Sequence, residues 1–255
     1  MSRISPFAVI AALLALTAVS GIAPPMAVAQ TDSDSAAATP VAPPPALYHP
    51  PLRGAPGGRV GGASRGMVRV AGVLPTIDVV APADHTGETA EAAPTLYYFV
   101  SAPVKWPTEF TIAQPLRPQP VIEVTIPSPT APGLYAVRLA DYGVRLDPGI
   151  VYTWSISAVI DPHAWSRNIV ASATILRTGD AAALTAGREA AAPPITRAAI
   201  LGQAGLWYDA VAAAAAAENG DGHAALDSLL HQVGLNGPAR FDHAAEMSRG
   251  ESPQR

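Results

Sequence analysis

The chain has 255 residues, among them 27 prolines, 21 glycines, a single lysine and no cysteine. Its length allows one or two domains, and a formal net charge of −4 argues against a polycation that seeks nucleic acid. Without cysteine there is no disulfide framework, thiolate zinc site, iron–sulfur cluster or thiol nucleophile.

Residues 1–29 read as a secretory signal peptide. Arg3 supplies the positive n-region, Phe7 to Ile22 the apolar core, and Ala27-Val28-Ala29 the small-x-small cleavage pattern. Gly21 and Pro24-Pro25 interrupt the run before it reaches the roughly 20 apolar residues of a membrane span, so none is expected after cleavage. Export without disulfides suits a bacterial periplasm or cell surface, where such bonds are permitted but not required.

Residues 30–52 are rich in Ala, Pro, Thr and Ser, and predict a disordered, semi-stiff linker. Residues 53–72 change character: Arg53, Arg59, Arg65 and Arg69 stand among glycines with no acidic residue between them. Forked guanidinium groups suit an anionic polymer, and the alternative is a solvated segment lying along a sheet edge. No aromatic residue is interleaved with these arginines, so a nucleic-acid target is not expected.

Between residues 73 and 178, short apolar or alternating runs are separated by prolines, which predicts an all-β region. The expected strands are Thr76–Val80, Thr95–Ser101, Phe110–Ala113, Val121–Ile126, Tyr135–Ala140, Ile150–Val159 and Ile169–Arg177. In the sixth, Tyr152, Trp154, Ile156 and Ala158 share the face expected to point inward, opposite Thr153, Ser155 and Ser157. Seven short strands favour an antiparallel, immunoglobulin-like β-sandwich over an open α/β sheet. Tyr152, just after the Pro148-Gly149 turn, is placed to form a tyrosine corner, with its hydroxyl bonded to upstream backbone.

Residues 179–247 read as helical, with a polar tail at 248–255. Residues 180–192 predict a short alanine-rich helix, and Pro193-Pro194 suits the first turn of the next. Ile200, Ala204, Trp207 and Val211 continue one stripe across Gly202 and Gly205, which suggests a neighbour packed close at those glycines. Leu226, Leu229, Leu230 and Val233 make a second stripe closed by Gly234, completing a helical hairpin from about 195 to 234.

Three segments in order, RGAPGGRVGGASRG (53–66), DPHAWSRNIVASATILR (161–177) and GLWYDAVAAAA with LDSLLHQVGL (205–215 and 226–235), resemble the exported bacterial family known as domain of unknown function 928. The resemblance covers most of residues 50–240 and implies a secreted protein. It assigns no activity, and therefore no catalytic or binding residue.

Asp161, His163, Trp165, Arg167 and Asn168 form the densest cluster of functional groups, on a loop expected at one end of the sandwich. Trp165 can stack on a sugar or other ring while Arg167 and Asn168 donate; equally, Asp161 and Asn168 can cap turns and Arg167 can close an ion pair. Gly62-Ala63-Ser64-Arg65-Gly66 matches G-x-S-x-G but lacks the flanking strand and helix of a nucleophile elbow. The six histidines show no metal-ligand spacing, so no metal or cofactor is expected; Asp227 and His231 stand one helical turn apart. Trp207-Tyr208-Asp209 is read as core packing between helices and sandwich, or else as a docking face. Together these features predict an exported, non-enzymatic binding or adaptor module for an envelope protein or surface glycan. A structural component held through the Arg/Gly arm and an envelope hydrolase using Asp161 and His163 are the alternatives.

Overall fold

The computed structural model describes residues 47–51, 57–61, 74–179, 192–217 and 220–238. The expected leader, residues 30–46 of the linker, Arg53, Arg65, Arg69, residues 180–191 of the predicted 180–192 helix and the tail lie outside the described residues. Nine strands are present among the described residues: β1 (Arg59–Val60), β2 (Ile77–Val79), β3 (Gly87–Thr89), β4 (Thr95–Val100), β5 (Thr108–Ala113), β6 (Ile122–Ile126), β7 (Gly133–Arg138), β8 (Val151–Ala158) and β9 (Ile169–Arg177).

Strand β8 organises the larger sheet because its alternation is strict. Tyr152, Trp154, Ile156 and Ala158 are buried on one side, while on the other Thr153 is exposed, Ser155 half-buried and Ser157 buried. Burying large side chains at every second position is worth about 1.5–3 kcal/mol apiece, so the register resists slippage. Antiparallel partners flank it on both sides, giving the order β1-β9-β8-β5-β6, and β3 runs parallel to β9 along the edge that β1 also occupies. The second sheet is β2-β4-β7, antiparallel throughout. Separation of β2, β4 and β7 from β5, β6, β8 and β9 is the strand distribution of an immunoglobulin-type sandwich, mainly β with helices following.

All seven predicted strands are found, with ends shifted by up to two residues. The structure adds β1 and β3, whose sequences Arg-Val and Gly-Glu-Thr carry no apolar alternation and which form only because β9 offers an unpaired edge. Tyr152 makes the predicted corner: its hydroxyl accepts the Asp147 N–H at 3.2 Å beside the left-handed Gly149 turn. Tyr135 repeats the device at the start of β7, donating to the Ala131 carbonyl at 2.9 Å.

Among the described residues, the stretch predicted as a two-helix hairpin holds three helices: α1 (Pro194–Gln203), α2 (Trp207–Ala215) and α3 (Gly220–Gln232). The predicted stripe from Ile200 to Val211 is broken at Gly205, whose φ of +82° admits a turn that L side chains rarely adopt. The close neighbour expected at the glycines is real. His49 donates its N–H to the Gly202 carbonyl at 3.0 Å, and a Cβ on Gly202 would lie 2.7 Å from the Leu47 carbonyl oxygen. Residues 47–51, read from composition as linker, therefore dock on the helices, and Tyr48 is only 6% exposed. The second stripe is buried as predicted, and α3 ends in a Schellman motif with Gly234 N–H on the His231 carbonyl and Leu235 N–H on that of Leu230. No helix among the described residues is long and apolar enough to cross a membrane.

Candidate functional site

Antiparallel pairing of β8 with β5 and β9 places three loops at one end of the sandwich: 101–107, 127–132 and 159–168. Backbone bonds tie them together. Val159 N–H donates to the Pro107 carbonyl at 2.9 Å, and Val104 N–H to that of Pro129 at 2.8 Å. Ser128 Oγ donates to the Trp106 carbonyl at 2.8 Å. These loops correspond to one end of an immunoglobulin-type domain, the place where such folds display recognition residues on a rigid frame.

Loop 159–168 is pinned from within. Asp161 receives the His163 N–H on Oδ1 and Arg167 Nη1 on Oδ2, both at 2.9 Å, and its own N–H donates to Asn168 Oδ1 at 3.0 Å. The His163 backbone bond, with help from Arg167, holds the Asp161 carboxyl below the usual carboxylate range. Asp161, Arg167 and Asn168 thus act as the turn caps and ion pair that their residue types allow. A carboxylate with both oxygens engaged is suited to hold shape rather than to move protons. Within this frame a short 3₁₀ turn, Trp165–Arg167, leaves the Trp165 indole 63% exposed. His163 is exposed beside it.

The Arg/Gly segment is represented by Arg59 on β1. Its guanidinium donates from Nη1 to the carbonyls of Ala81 (2.9 Å) and Val233 (3.0 Å), and from Nη2 to that of Gly234 (3.3 Å). This arginine clips the sheet edge to the end of α3, and its fork is directed at the protein's own carbonyls rather than at solvent.

A family model described as Domain of Unknown Function (DUF928) matches residues 60–242. The chain belongs to the DUF928 family. No curated protein and no solved structure matches it. The matched DUF928 region spans the sandwich, its loop end and all three helices.

Two further clusters of this DUF928 domain depend on contacts far apart in sequence. In the first, His85 Nδ1 lies 2.8 Å from Asp84 Oδ1 and Nε2 lies 2.7 Å from the Tyr48 hydroxyl, at the wall of a cleft of about 420 Å³. Donation from Nδ1 to the carboxylate leaves Nε2 to accept the phenol proton. Burial, reinforced by Glu88 and Asp84, pushes the Tyr48 phenol up, so it remains a donor and the chain works as a clasp for residues 47–51. Nothing in the sequence links Tyr48 to His85.

The second cluster is the seam between α2 and the sandwich, built from Trp207-Tyr208-Asp209. Trp207 donates its indole N–H to the Val80 carbonyl (3.1 Å), and Trp154 donates to the Tyr208 hydroxyl (2.9 Å), which donates onward to the Thr174 carbonyl (3.0 Å). Asp209 accepts the Thr89 hydroxyl on Oδ1 (2.6 Å) and the Ala90 N–H on Oδ2 (2.7 Å). Burial raises the Asp209 carboxyl to about 6 despite both bonds. The triplet therefore packs as core, the first of its two sequence readings.

Proposed function

We propose that this protein is an exported, non-enzymatic binding module of the bacterial envelope, which recognises its target through the loop end of the sandwich. One observation carries the reading: Trp165 is 63% exposed on a loop whose backbone is fixed by Asp161, Arg167 and Asn168. A large aromatic held in water without freedom to fold away contributes contact area at little entropic cost, the property of a binding anchor. Its flat face suits a sugar ring, so the target class is a surface glycan. Engagement of both Asp161 oxygens favours binding over the hydrolase alternative. Engagement of Arg59 by carbonyls leaves the attachment-arm alternative to Arg53, Arg65 and Arg69.

The test is retention of the purified chain on isolated cell-wall and outer-membrane polysaccharide, with tryptophan fluorescence read during titration. Trp165→Ala is expected to weaken retention by about tenfold or more, the size of an aromatic anchor, while leaving the melting temperature unchanged. Equal retention by wild type and Trp165→Ala would overturn the reading. Export is tested separately by fusing residues 1–29 to a reporter active only outside the cytosol: activity is expected, and its absence removes the envelope from the account.

A further inference from the structure

A second site lies away from the loop end, where α1 and α2 meet the start of β4. The cavity between α1, α2 and the β3–β4 connection has a volume of about 260 Å³. Asp209, Arg197 and Glu91 all line it, with Leu201, Ala212 and Pro94 among the apolar walls. Asp209 is 7% exposed, and its carboxylate is held by Thr89 and Ala90, so its orientation is fixed. Glu91 is exposed at the rim, and Arg197 is half-buried on the first turn of α1. Arg197 makes no ion pair within 4 Å among the described residues, although its charge is felt at Asp209.

A guanidinium and two carboxylates that line one small cavity without a direct ion pair between them are complementary to a molecule carrying both signs. A simple anion drawn to Arg197 would meet Asp209 and Glu91; a simple cation drawn to them would meet Arg197. Like-charge contacts of this kind are unfavourable and act as discrimination against the wrong ligand. A free zwitterion satisfies all three groups at once. Arginine's planar fork matches a carboxylate in bidentate geometry, while an ammonium between Asp209 and Glu91 supplies the countercharge the buried carboxylate lacks. The volume falls below the roughly 300–1,000 Å³ of sites for drug-sized ligands, which sets the scale at a single residue. A peptide terminus presents only one of the two charges and so fails the same criterion.

We propose that this cavity binds a free α-amino acid, with its carboxylate on Arg197 and its ammonium between Asp209 and Glu91. This site is independent of Trp165 and of the glycan reading.

Isothermal titration of the full chain tests it, using glycine, L- and D-alanine, L-serine and L-glutamate as probes. The control ligands are N-acetylalanine, which lacks the ammonium, and alaninamide, which lacks the carboxylate. At least one free amino acid is expected to bind, with both blocked forms weaker by tenfold or more. Arg197→Gln, at a half-buried helix position, is expected to weaken binding by at least tenfold without lowering the melting temperature, and Glu91→Gln by a smaller factor. Asp209→Asn keeps the Ala90 bond through its amide oxygen, reverses the Thr89 bond, and should lose affinity for the amino acid. Absence of binding by every free amino acid, equal binding of a blocked form, or unaltered binding by Arg197→Gln would each overturn the proposal. Should Asp209→Asn fail to fold, the Arg197 and Glu91 variants still decide it.

Discussion

The α2 seam and the loop end are built from the same chemical alphabet, a tryptophan and an aspartate a few residues apart, and water sorts them to opposite roles. Trp207 is fully buried and its indole N–H is spent on Val80, whereas Trp165 stands 63% exposed. Asp209 and Asp161 each accept a backbone N–H and a side-chain donor, yet their carboxyls move in opposite directions. Desolvation dominates at Asp209 and raises it to about 6; hydrogen bonding from the His163 backbone dominates at Asp161 and lowers it. Residue type alone does not distinguish a structural clasp from a displayed surface. The solvent around it does.

The sharpest way to break this contrast is to truncate each tryptophan. Trp207→Ala empties a sealed site and orphans the Val80 carbonyl, and is expected to cost about 3–5 kcal/mol in a denaturant melt. Trp165→Ala is expected to stay within about 0.5 kcal/mol of wild type in the same melt. Comparable losses would place the two indoles in similar environments and dissolve the distinction.

Next in size is the pH response of Asp209. Its folded pKa lies above the unfolded value of 3.8, so between about pH 4 and 6 the folded chain holds a proton that the unfolded chain has lost. Its contribution to stability is therefore fully present below pH 4 and is lost as pH rises through 6, by roughly 2–3 kcal/mol. Asp209→Asn, which keeps the Ala90 bond and removes the titrating proton, is expected to flatten that part of the stability profile, measured by urea melts across the range. Asp161 carries the opposite sign: its contribution is present above about pH 4 and fades as pH falls further, and Asp161→Asn should remove that acid-side loss.

Tyr208→Phe sharpens the seam further. It leaves the buried Trp154 N–H and the Thr174 carbonyl without their partner, at a cost of about 1–3 kcal/mol by thermal or chemical melt. Arg167→Ala is expected to give the smallest stability change of the set, shrinking further as salt rises, because the pair it breaks is exposed.

Much of this architecture is legible in the sequence where the pattern is local. The strand Val151–Ala158 announces its buried face through strict alternation, and Leu226, Leu229, Leu230 and Val233 announce theirs through helical spacing. Asp161, Arg167 and Asn168 find one another because they lie within seven residues. Elements made by distant partners carry no such signal. Strands β1 and β3 exist only against β9, and the Tyr48–His85 bond joins positions 37 residues apart. The break between α1 and α2 escapes the helical stripe because Ala204 and Trp207 keep its spacing through the turn, while the left-handed Gly205 between them leaves no trace in periodicity. The Asp209–Arg197 cavity is likewise invisible until α1, α2 and the β3–β4 connection are brought together.

The contrast between the two tryptophans is tested most directly by iodide quenching of intrinsic fluorescence in the wild type and in Trp165→Phe. Trp154 and Trp207 are sealed and Trp106 is half-buried, so Trp165 should supply most of the emission that iodide reaches. Loss of most of the quenchable fraction in Trp165→Phe is the predicted result. An unchanged quenchable fraction would contradict the account, because the displayed indole would then lie elsewhere in the molecule.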